Sequence, residues 1–102
     1  MTEDDLKMHF ELVRQSIGIW SADAARFVGE ASTTRQVGTH KPEQIAAAIR
    51  TLEAITRERA SLAAAAISVQ TKSDDLARGI EIALNELDLL ERDIGAALQQ
   101  MR

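Results

Sequence analysis

Cysteine and tyrosine are absent from this 102-residue chain, and it holds one proline, one tryptophan and two phenylalanines. Without cysteine there is no disulfide framework, no thiolate-bound metal and no thiol redox chemistry. Long apolar runs are missing too. The longest one free of charge, Ala60 to Val69, is about half of what a membrane span needs, and no basic segment followed by an apolar one opens the chain. These absences predict a soluble, unprocessed protein in the cytoplasm, with no membrane association.

What is present points to helix. Hydrophobic residues make up 45% of the chain while aromatics make up 3%, so the apolar content is mostly Ala, Leu and Ile, all at home in helices. A chain this short has room for one domain and buries a modest core, which makes oligomerisation a natural source of extra stability. Nine arginines against three lysines, with abundant alanine, suit a GC-rich bacterial or phage genome.

The net charge of −4 is unevenly distributed. Residues 1–30 carry six acids and three bases, residues 31–73 three acids and six bases, and residues 74–102 seven acids and three bases. Acidic, basic and acidic segments in succession suit three helices side by side, although exposed pairs contribute only about 0–1 kcal/mol each. Charge orders such neighbours more than it stabilises them.

Apolar spacing locates the helices. Thr2 is a good N-cap, with Asp5 at N3 and Glu3 and Asp4 placing negative charge at the positive end of the helix dipole. Leu6, Phe10, Val13, Ile17, Trp20, Ala24, Phe27 and Ala31 then alternate at intervals of four and three, the heptad seam of a helix lying along a neighbour at a shallow angle. Met8, Leu12 and Ile19 widen the stripe, which predicts that the first helix touches more than one neighbour. The period lapses over residues 32–41, where Gly38 is the expected turn residue, and Pro42 suits the first turn of a second helix. Seam spacing resumes at Ile45 and runs in one phase to Met101.

That unbroken phase leaves two architectures. The segment VQTKSDDL, Val69 to Leu76, contains cap-like chemistry, with Thr71 three residues before Asp74 and Ser73 just ahead of two aspartates. Threonine, serine and aspartate all compete with the backbone and weaken helices. The predicted fold is therefore an all-α, antiparallel three-helix bundle with long coiled-coil-like helices at about 3–31, 42–70 and 73–101, and a loop at 32–41. The alternative joins the second and third helices into one of roughly 90 Å at 1.5 Å per residue, paired in a dimer.

Catalytic chemistry finds no support. His9 follows Asp5 by one turn but has no further ligand in sequence reach, and His40 stands alone beside Lys41 and Pro42. Glu81, Glu86, Asp88 and Asp93 form a solvated acidic face. No E-x-x-H, H-E-x-x-H, G-x-S-x-G or glycine-rich phosphate loop occurs. No catalytic, cofactor-binding or metal site is expected, and no small-molecule substrate. Arg50, Arg57 and Arg59, with Arg35 and Lys41, raise weak nucleic-acid binding as an alternative, against which stand the interleaved Glu53 and Glu58 and the lack of a nearby aromatic. The acidity, length and lack of cysteine also suit small helical-hairpin secretion proteins, but Trp20 lies in GIWSAD inside a helix and not in a W-x-G turn.

The expected function is therefore a non-enzymatic protein–protein interaction or assembly module, acting through burial of apolar helix faces on a protein partner or on a second copy. A small chaperone, inhibitor or adaptor of a bacterial secretion or phage system is the alternative from the same observations. Candidate interface residues are Trp20, Phe27, Arg59, Ile80, Leu84, Leu87, Leu90 and Ile94. Arg59 stands out as a charge on a seam, where it either selects register or lies at the bundle edge with its head in water.

Overall fold

A computed structural model describes residues 1–37 and 42–102. Over these the chain forms three helices, α1 (Glu3–Val37), α2 (Pro42–Val69) and α3 (Asp74–Met101), and every pair of them is in contact. The product is an all-α three-helix bundle, a rod of 52 × 19 × 17 Å.

Local chemistry sets the helix starts. Thr2 and Asp5 cap α1 reciprocally: Asp5 N donates to Thr2 Oγ1 at 3.2 Å, and Thr2 N donates to Asp5 Oδ2 at 2.9 Å. These hydrogen bonds favour the ionised carboxylate and hold the Asp5 pKa below its ordinary value. Pro42 is the first residue of α2, where its missing N–H leaves no bond unmade. Ser73 caps α3 from an extended backbone conformation, its Oγ accepting from Leu76 N at 3.2 Å.

The segment between α2 and α3 is a tight turn, and the continuous-helix alternative is not realised. Gln70 takes a left-handed conformation, φ 49°, which ends α2 without a glycine. Thr71 Oγ1 accepts from Ser73 N at 3.1 Å and donates to Glu3 Oε1, so the turn is tied to the start of α1. Of the two possible caps, Ser73 fills that role while Thr71 braces the turn.

α1 runs six residues further than its apolar period suggested. Residues 32–37, expected in the loop, are helical. Loss of an apolar stripe means only that a helix has left the core, because propagation adds a hydrogen bond per residue once a helix exists. Thr33 fits this arrangement by donating its hydroxyl to the Gly29 carbonyl at 2.9 Å. Gly38, His40 and Lys41 lie outside the described residues.

The seams form the core. Leu6, Val13, Phe27, Ala48, Ile55, Leu62, Leu87 and Ile94 are almost wholly buried, and Phe10, Trp20, Leu52 and Leu84 pack half-buried around them. Where α1 passes α3, Gly79 makes room for the Phe10 ring: a Cβ there would lie 2.7 Å from Phe10 Cζ. α1 touches two neighbours, α2 and α3, as expected, but not through the residues that widen its stripe: Met8, Leu12 and Ile19 are 67%, 57% and 64% exposed. Two flanking helices cover the seam and its edges, and these three residues stand on the far side of α1.

Candidate functional site

The candidate interface residues fall into two sets. Phe27, Ile80, Leu87, Leu90 and Ile94 are buried, so the helices they join are the chain's own. Trp20 and Leu84 are partly buried against the same core. The apolar spacing of these side chains does not say which chain supplies the opposing helix, because an internal and an external partner demand the same spacing.

Arg59 sits at the bundle edge, its side chain 40% exposed, with Nε 2.7 Å from Glu91 Oε1 on α3. That hydrogen bond and the charge of Glu91 raise the arginine pKa above its already high value. Only the stem of Arg59 belongs to the seam. With Arg59 bound to Glu91, the exposed cations left in that part of α2 are Arg50 and Arg57, with Glu53 exposed between them. Glu58 turns to α1, its Oε2 3.6 Å from His9 Nε2. Among the described residues, no group of three or more His, Asp or Glu side chains is placed to hold a metal ion.

Two of the exposed apolar features among the described residues involve α1. One is a groove of about 360 Å³ between α1 and α3, lined by Phe10, Arg14, Asp75, Gly79, Ile82, Ala83 and Glu86. It is the space beside the Phe10 ring, with the Arg14 guanidinium 5.6 Å from the ring centre. The other is the outer face of α1, where Met8, Leu12 and Ile19 stand exposed beside Gly18, Ala22, Ala25 and Gly29, which are exposed as well. A Cβ at Gly18 or Gly29 would meet nothing within 4 Å. Small residues at 18, 22, 25 and 29 repeat the four-three interval of the core seam, which makes this face a second stripe on the same helix. In the sequence this second stripe is carried mostly by glycine and alanine, so its periodic signal is weaker than that of the inner seam.

No family model, curated protein or solved structure matches the chain, so the functional reading rests on these surfaces. Among the described residues, no helix is long and apolar enough to cross a membrane.

Proposed function

We propose that this chain is a non-enzymatic helical interaction module that works by burying an apolar helix face against another protein. The observation that carries this reading is the outer face of α1, where three large aliphatic side chains more than half exposed line one helix. Single exposed aliphatics are ordinary on any surface, but a stripe of them along one helix is the form in which helices offer themselves to partners. The shape supports the same reading. The accessible surface of 6560 Å² exceeds the roughly 5,700 Å² typical of a monomer of this mass, as expected of a rod whose sides are available for association.

The test is the double variant Leu12→Asp, Ile19→Asp. Both positions are exposed, so the variant keeps its helical circular dichroism and its unfolding midpoint. Cross-linking in the cells that make the protein, quantified for wild type and variant, is expected to show complexes, with itself or with other proteins, that the variant loses. Identical cross-linked species for the two chains would refute the reading.

A further inference from the structure

We infer that the turn between α2 and α3 is a hinge through which two copies of this chain exchange α3. In the exchanged pair each chain's α2 and α3 form one straight helix, and each three-helix bundle takes α1 and α2 from one copy and α3 from the other. The turn and the core carry this, independent of the outer α1 face.

Burial in the closed chain meets a condition that exchange imposes and a hairpin does not. An exchanged pair has a two-fold axis at right angles to its two long helices, and that axis keeps the direction from each long helix to the core the same in both bundles. α2 and α3 must then bury one continuous face. A hairpin sets no such relation, because turns of different length and geometry place the second helix at different rotations. Ile55, Leu62, Val69, Leu76, Ala83 and Leu90 follow at intervals of seven through the turn. Val69 packs partly buried against the core, and the other five are buried. The turn interrupts the helix and leaves its count intact.

The turn is also built to open. It spans residues 70–73 and contains neither glycine nor proline. Gln70 holds φ 49°, a left-handed conformation that favours glycine and is costly for a residue with a Cβ. Opening releases that conformation and adds helical hydrogen bonds across the four residues. Against opening stand the Ser73 cap and the tie between Thr71 and Glu3, both of which it breaks. The contacts of α3 with α1 and α2 are remade between copies, so the balance is set at the hinge and by concentration. Because Thr71 lies beside the start of α1, exchange also brings the two α1 starts together at the centre, each with Glu3, Asp4 and Asp5. Their repulsion favours the closed chain at low ionic strength and fades with salt.

Exchange makes a rod about twice the 52 Å length of the closed bundle. Both α1 helices lie on one side of the long pair, with their outer faces pointing the same way. For the interaction reading above, on which this one consequence rests, a partner with repeated sites meets two faces instead of one.

The test uses the purified chain, unfolded in guanidinium chloride, refolded at micromolar and at millimolar concentration, and sized by sedimentation. Refolding at millimolar concentration is expected to give a species of about 22 kDa, twice the 11.2 kDa chain, in larger share at high salt. Gln70→Gly, which favours the turn and weakens the long helix, reduces association on the order of 100-fold, since each change counts twice in the pair. Thr71→Ala with Ser73→Ala, which removes the tie and the cap, raises it by a similar factor. Arg59 on α2 and Glu91 on α3 meet at 2.7 Å, and the chain has no cysteine, so exchange is read directly with single thiols. Arg59→Cys and Glu91→Cys chains, refolded together at millimolar concentration, are expected to join through a short bismaleimide as a mixed dimer. The same two chains refolded separately at micromolar concentration and then mixed do not join. A wild-type chain that refolds only to monomer at millimolar concentration overturns the exchange. A dimer without the 59–91 link, or one indifferent to Gln70→Gly, overturns it too. None of these readouts depends on Leu12 or Ile19, so the exchange and the interaction reading stand or fall separately.

Discussion

Replacing Gly79 by alanine tests how tightly α1 and α3 are fitted. In an exposed helix interior this change stabilises by about 1 kcal/mol, because glycine has the higher conformational entropy to lose. At Gly79 the new Cβ would stand 2.7 Å from Phe10 Cζ and 3.3 Å from Cε2, whereas carbon atoms pack at about 3.5–4.0 Å. The ring must therefore move by about 1 Å, and with the close-packed core behind it the free direction is outward, into the groove beside Arg14 and Ile82. Exposing on the order of 40 Å² of ring at about 25 cal/mol per Å² costs about 1 kcal/mol, which cancels the helical gain. Gly95, also on α3, has nothing within 4 Å of a Cβ and supplies the control. Gly95→Ala is expected to raise the unfolding free energy by about 1 kcal/mol, worth some 4–8 °C in a domain of 60–100 residues, while Gly79→Ala leaves it within about 0.5 kcal/mol of wild type. In a Phe10→Leu background, which removes Cζ, Gly79→Ala recovers the full gain. Urea denaturation of the four chains of this cycle, beside Gly95→Ala, measures the difference. Equal stabilisation at 79 and 95 with Phe10 intact would refute the fit described.

Ser73→Ala removes the α3 cap and is expected to cost about 1 kcal/mol, while Thr71→Val acts on the turn and its link to Glu3; thermal unfolding of both shows whether Ser73 carries the capping. For Arg59 and Glu91, substitution to methionine and glutamine singly and together should give a coupling energy of about 0–1 kcal/mol that shrinks with added salt; a salt-independent coupling would mean a drier contact than the geometry shows. The Asp5 pKa is lowered on folding, so its contribution is present above the unfolded value and is lost as pH falls through the folded one. Asp5→Asn should flatten the acid limb of the stability profile below the ordinary carboxylate range and leave the neutral region without pH dependence from this site.

Much of the fold was readable in the spacing of apolar residues. Leu6, Val13, Phe27, Leu62, Leu87 and Ile94 stand in the core at the positions their intervals assign, and Thr2 with Asp5 and Pro42 open their helices as their chemistry dictates. These are local properties, set by periodicity and by a few capping bonds. The turn at 70–73 was only half readable. Heptad phase runs through it unbroken, and the break depends on a left-handed Gln70 that no residue preference announces.

The sequence by itself determined that each helix has a face to bury, where the helices begin, and that no thiol or long apolar span takes part. Only the tertiary structure decided who buries what. Periodicity says that Phe27 and Met8 are both apolar on one helix; it does not say how many neighbours arrive or from which side. Once α2 and α3 pack on the inner seam of α1, Phe27 is enclosed and Met8, Leu12 and Ile19 are left outside. A helix has a full circumference, two neighbours in a three-helix bundle cover only part of it, and that uncovered remainder is the outer face of α1.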